Sequence, residues 1–243
     1  MNPVEARALA IQAGRALAAA GQGDMVWGHA AVRDPQGRGI WIKEPGWGLE
    51  EADQDRMQLV SFEGEVRQGR GKPHKECWIH LAVLASRPEL LCSVHTHARP
   101  AVAFAALNTP LLPLSHEGAL FGGADVPRFT ATGSLVSTPA LGAALAQTLG
   151  DAPAALMPHH GLVAAGTTVA AAVMHAVLLA GACETQLIAH GAGGPLTWSD
   201  DQEAQAKQAE CWPDSQLEAG WRYLLRHAGT EHNDRTIPEH LSQ

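Results

Sequence analysis

Residues 152–183 carry no formal charge, and the way this stretch is punctuated constrains the fold more than any other feature. A membrane-spanning helix needs about 20 mostly apolar residues in a row. Here Pro158, His159, His160, Gly161, Gly166 and two threonines interrupt the run. It reads instead as a strand at 154–157, a turn, a second strand at 162–165 and a buried Ala-rich helix at 169–190. Two apolar strands followed by an apolar helix require cover on both sides of a sheet, which points to a layered α/β fold.

The rest of the chain fits that expectation. Apolar residues at helical spacing run over residues 4–20 and stop at Gly21. Short strands are expected at 40–43 and 58–62, with a turn at Glu63 and Gly64 and a return through Val66. A helix follows at 76–86, a strand at 91–97 with an Ala-rich, helix-like segment after it, and two helices within 202–227. No repeat or low-complexity linker divides the 243 residues, so one domain over 1–229 is expected, with 230–243 as a flexible polar tail. The class is a single-domain three-layer α/β sandwich with a largely antiparallel central sheet.

Charge and cysteine usage exclude several roles. A net charge of -8, with no run of basic residues, gives a phosphate backbone no electrostatic footprint, so nucleic acid is excluded as a partner. The N-terminus has an acidic residue, Glu5, and lacks the basic start and apolar middle of a signal peptide; no membrane partner and a cytoplasmic location are expected. Cys77, Cys92, Cys183 and Cys211 show no C-x-x-C spacing and read as small buried hydrophobes.

The chemistry lies among 13 histidines. Residues two apart on a strand share a face, so His95 and His97 project together. Imidazole suits zinc, manganese, cobalt and iron, and a catalytic site typically has three protein ligands and an open position. His160, in a Pro-His-His-Gly turn between two apolar strands, is the best placed third ligand, with His159 as its spectator neighbour.

The segment from Glu76 through Ile79-His80, Arg87-Pro88 and Val94-His95-Thr96-His97, then His160-Gly161-Leu162-Val163 with Gly166, resembles the class II aldolase/adducin family. Gly28-His29-Ala30-Ala31-Val32-Arg33 is similar to that family's glycine-led N-terminal signature. The resemblance covers residues 4–191, and it implies a divalent metal on His95, His97 and His160, with Glu76 as the acid/base beside it. It also implies a homotetramer with sites at subunit boundaries. A metal chelated by neighbouring substrate oxygens would stabilise the enediolate left by carbon–carbon cleavage, and a nearby carboxylate would move the proton.

The chain departs from the sugar-phosphate aldolases at all three of their phosphate loops. They read here Gly28-His29-Ala30-Ala31, Lys43-Glu44-Pro45-Gly46-Trp47-Gly48 and Pro73-His74-Lys75-Glu76. Arg33, His29, His74 and Lys75 offer donors to a carboxylate, and Trp47 offers an apolar wall. His116, in Ser115-His116-Glu117-Gly118, is a candidate for substrate contact or proton transfer. Tyr223 is a candidate proton donor, since related aldolases take a C-terminal tyrosine from the adjacent subunit.

The leading expectation is a lyase, aldolase or decarboxylase, dependent on a divalent metal, zinc first and manganese, cobalt or iron as alternatives. Its small-molecule substrate would be non-phosphorylated and carboxylated. The rivals are a sugar-phosphate aldolase or 4-epimerase and, in another class, a non-catalytic adducin-like scaffold. Retention of three histidines and the glutamate argues against the scaffold.

Overall fold

The computed structural model describes residues 1–121 and 125–229. Seven strands form in chain order: β1 (His29–Arg33), β2 (Ile40–Lys43), β3 (Met57–Val60), β4 (Val66–Gln68), β5 (Cys92–Thr96), β6 (Ala154–Met157) and β7 (Gly161–Gly166). They make one sheet of order β4-β3-β2-β1-β5-β7-β6, and every neighbouring pair is antiparallel. The helices are α1 (Pro3–Leu17), α2 (Cys77–Ser86), α3 (Arg99–Ala105), α4 (His116–Ala119), α5 (Pro139–Leu149), α6 (Val169–Gly191), α7 (Asp201–Cys211) and α8 (Asp214–His227).

Successive strand residues point to opposite faces, and each face has its own core. On one side Val32, Trp41, Leu59, Val94 and Leu162 pack with Leu17, Phe104, Leu179 and Trp221 from α1, α3, α6 and α8. On the other, Ala31, Ile42, Val60, Met157 and Val163 pack with Ile79, Leu84, Leu145 and Leu149 from α2 and α5. The result is the expected three-layer sandwich. α6 is, among the described residues, the one helix long and apolar enough to cross a membrane. It is instead a core helix, with Val173, Leu179 and Cys183 fully buried.

Three local differences from expectation have physical causes. The first helix ends at Leu17 and continues as one wide π-type turn, Ala18–Gln22, in which Gly21 takes φ 73°. The strand expected at 58–62 ends at Val60, because the Ser61 N–H donates to the Glu65 carbonyl and the Gly64 N–H to the Ser61 carbonyl, closing the turn early. β1 and α5 were not expected as elements. β1 is buried on both faces and therefore lacks the polar alternation that marks a strand. The expected tail at 230–243 lies outside the described residues.

α2, which positions the site, rests closely on α5. A Cβ at Gly142 would stand 2.5 Å from the Trp78 carbonyl and 3.1 Å from the Ala82 methyl. Gly142→Ala should therefore force the helices apart at a cost of about 1–3 kcal/mol. A thermal melt should show Tm lowered by roughly 3–10 °C for a chain of this size; an unchanged Tm would contradict this helix contact.

Candidate metal centre

His95 lies on β5 and His97 just past its end, on the same face of the sheet. The β6–β7 hairpin brings the third imidazole alongside. His159 sits exposed at φ 64° in the turn, the His160 N–H donates to the Met157 carbonyl at 3.0 Å, and the chain then enters β7 opposite β5. Gly161 is required there, since a Cβ would collide with the Thr96 carbonyl. Glu76 precedes the first turn of α2 but makes no side-chain cap hydrogen bond. Its Oε1 instead accepts from the Val136 N–H at 2.9 Å and stands 3.4 Å from His160 Nε2. Glu76, His95, His97 and His160 each offer one ligand atom, and these four atoms lie within 4.8 Å of one another.

Tautomers decide what this cluster can hold. His95 Nδ1 is 2.8 Å from the Leu162 carbonyl, which only accepts, so Nδ1 carries the proton and Nε2 a lone pair. His97 Nδ1 is 2.8 Å from Asp24 Oδ2, which likewise only accepts. The two Nε2 atoms then face each other at 3.1 Å, and with both rings neutral each turns a lone pair toward the other. Both ring nitrogens of buried His160 lack a hydrogen-bond partner. Converging lone pairs beside a carboxylate fit a divalent cation, and imidazole nitrogens with one carboxylate suit zinc or a neighbouring transition metal.

The electrostatics agree. Burial drives the His95 imidazole well below its ordinary range, with His160 adding to the effect, so the ring is neutral. Burial also pushes the Glu76 carboxyl up, but the His160 and His95 rings and the Val136 N–H outweigh it and hold it at about 2. His74 falls to about 4 and His80 to about 3, both chiefly through burial. Lys43 is buried and lowered to about 8 by desolvation, with Glu50 and Glu51 pulling the other way.

Some sequence-selected pocket residues gather here and others do not. His29 is fully buried, its ring 5.0 Å from that of His95 and 4.2 Å from that of His74. Arg33 lies at the opposite end of β1, about 13 Å along the strand. Its guanidinium binds the Leu84 carbonyl in the last turn of α2 and the Arg87 and Leu90 carbonyls that follow it, so it clamps the end of the helix. One face of the half-buried Trp47 ring is covered by the Arg56 guanidinium, 3.8 Å from the ring centroid. Lys75 is exposed on the turn before α2. His116 is exposed, and its carbonyl accepts from Trp212 Nε1, tying α4 to the end of α7. Its neighbour Glu117, not His116, lines a cleft of about 690 Å³ with Asp24, His97, Arg99 and Glu184. Tyr223 is 58% exposed on α8, stacked on His227.

Sequence reasoning missed Gln22, Asp24, His80 and Ser93. Buried Gln22 donates to the Ala176 carbonyl and accepts from Thr96 Oγ1, pinning the wide turn that carries Asp24 to His97. No local pattern announces that turn. His80 was legible, one helical turn after Glu76 on the same face, as was Ser93, two residues before His95 on one strand face.

Comparison with known proteins places the chain in context. The sequence pattern described as Class II Aldolase and Adducin N-terminal domain matches residues 8–187. A 5-methylthioribulose-1-phosphate/5-deoxyribulose-1-phosphate aldolase of Rhodospirillum rubrum is 32% identical over 167 residues, 69% of this chain and 73% of its own. An L-ribulose-5-phosphate 4-epimerase of Salmonella paratyphi B is 29% identical over 184 residues, 72% of this chain and 81% of its own. Among solved structures, L-fuculose 1-phosphate aldolase from Glaciozyma antarctica superposes with a TM-score of 0.81 at 26% identity, covering 94% of this chain and 92% of that one.

Two outcomes follow from this geometry. Asp24→Asn should weaken zinc binding about 10–100-fold by removing the charge that orients His97, read by titration against a chelator; unchanged affinity would contradict the role given to Asp24. In the metal-free protein, unfolding exposes His74 and His80 to ordinary protonation near pH 6.5, while their folded values are about 4 and 3. The unfolded state therefore binds more protons in that window, so stability is intact above pH 6.5 and falls as pH drops. His80 alone should account for a loss on the order of 2 kcal/mol by pH 5. Denaturant unfolding across pH 7 to 5 checks this, and a flat profile would contradict it.

Proposed function

The chain belongs to the class II aldolase and adducin family, and on that premise we propose that it is a divalent-metal-dependent carbon–carbon lyase acting on a non-phosphorylated, carboxylated small molecule. The observation that carries the reading is the convergence of His95, His97, His160 and Glu76, each with one ligand atom within 4.8 Å of the others. His95, His97 and His160 would hold the ion, with zinc the best match to the donor set and manganese, cobalt or iron able to replace it. A bound ion would supply Lewis-acid stabilisation of the negative charge that develops when a carbon–carbon bond beside a carbonyl breaks.

Glu76 is the proton carrier in this reading. Its carboxylate is ionised at neutral pH and oriented by the Val136 N–H, so it is in the accepting form. In aldol cleavage it takes the proton of the substrate hydroxyl as the bond breaks. It then returns a proton to the carbon left with the electron pair. In decarboxylation Glu76 takes the proton of the substrate hydroxyl, the bond to the carboxylate breaks with its electrons left on carbon as carbon dioxide departs, and Glu76 returns that proton to the carbon.

The substrate class is supported by what borders the cluster. His29 and His74 are kept neutral by burial, and both replace the small hydroxyl or amide groups expected around a phosphate. Neutral donors match one carboxylate charge better than a phosphate dianion, whose burial calls for more compensating charge. The second reading, a sugar-phosphate aldolase or 4-epimerase, is favoured by the two relatives, an aldolase and a 4-epimerase of sugar phosphates. A cytoplasmic homotetramer completes the proposal, in which exposed His116 and Tyr223 would act across a subunit boundary.

Metal-loaded protein assayed with hydroxylated aromatic acids, keto acids and sugar phosphates, following carbon dioxide and aldehyde release together, separates the readings. Turnover confined to sugar phosphates would overturn the carboxylated substrate. Glu76→Gln should retain metal while losing about 10²–10⁴-fold in kcat; a fully active variant would remove Glu76 from proton transfer.

A further inference from the structure

Two histidines beside the cluster are not explained by metal binding. His29 is fully buried, yet its Nε2 has no hydrogen-bond partner. Its Nδ1 is 2.6 Å from His80 Nε2, and His80 Nδ1 is 3.0 Å from Ser93 Oγ. All three side chains are fully buried. Adjacent antiparallel strands supply the two ends of the chain: the β1–β5 register sets His29 opposite His95 and Ala31 opposite Ser93. α2 supplies the middle, one turn after Glu76.

The direction of the hydrogen bonds follows from the hydroxyl. His80 Nδ1 is the one partner of Ser93 Oγ among the described residues. A buried O–H without an acceptor is costly, so Ser93 donates to His80 Nδ1. His80 then carries its proton on Nε2 and donates to His29 Nδ1. His29 in turn carries its proton on Nε2, where no protein atom accepts it. The reverse polarity would strand the serine hydrogen in the core.

We propose that Ser93, His80 and His29 form a one-way hydrogen-bond chain that presents the His29 Nε2–H to a carboxylate oxygen of the substrate. His80 is then a positioning residue. It acts through His29 and fixes both the ring and its tautomer. The ring packs against His95 and His74, and the His74 Nδ1 accepts from the Glu76 N–H at 3.3 Å, so the donor is held next to the proton carrier and the metal ligands. This inference rests on the lyase reading and deepens it by naming the group that selects an acid.

The test uses zinc-loaded full-length protein and two probes, glycolate and tartronate, which differ by one carboxylate. Calorimetry should show tartronate bound about tenfold or more tightly than glycolate, the scale of a hydrogen bond to a charged group. His29→Leu and His80→Leu should reduce that ratio to about twofold or less with zinc stoichiometry unchanged. His80→Gln, whose amide N–H replaces the donor, should keep it. Independently of any variant's folding, nitrogen-15 NMR of the unsubstituted protein should find both His29 and His80 protonated on Nε2. A His29 protonated on Nδ1, or an undiminished ratio in zinc-replete His80→Leu, overturns the inference alone. Binding of neither anion to zinc-loaded protein overturns the lyase reading and this inference with it.

Discussion

The structure depends on a forced encounter between lone pairs. Leu162 and Asp24 each accept a hydrogen bond from the far nitrogen of a histidine, which leaves the Nε2 atoms of His95 and His97 facing each other at 3.1 Å, with no proton between them when both rings are neutral. With both rings neutral the facing lone pairs repel, and the nearby Glu76 carboxylate does not relieve them. A cation does. The fold maintains the arrangement because both acceptors are fixed, one by the β5–β7 ladder and one by the turn that Gln22 pins to α6 and β5.

The same layers that bury the core set the polarity of the site. His29, Ser93 and His95 share one sheet face with α2, so Glu76 and His80 descend on them from a single helix, one turn apart. α2 is in turn held at close range by α5 and clamped at its far end by Arg33, which binds the Leu84 and Arg87 carbonyls. Residues remote from any chemistry thus control how far the carboxylate stands from the imidazoles.

Much of this was legible in the sequence, and the failures are instructive. The uncharged 152–183 stretch gave both strands and the core helix because its interruptions are turn residues with one physical meaning each. α5 was missed although Thr138 caps it, Pro139 opens it and Gly150 ends it, a start and stop signature that apolar periodicity overshadowed. At the site, His95, His97, His160 and Glu76 could be chosen by spacing and family resemblance. Charge and aromaticity say nothing about prior engagement: Arg33 already binds three carbonyls, and one face of Trp47 already lies under Arg56. Asp24 and Gln22 were invisible, since their partners lie over seventy residues away in the chain.

The central claim is that these imidazoles converge in order to hold a metal ion. X-ray absorption at the zinc edge on stoichiometrically loaded protein tests it most directly. The account predicts three imidazole nitrogens at about 2.0–2.1 Å with oxygen completing the shell. A shell containing sulfur, or fewer than two imidazoles, would contradict it.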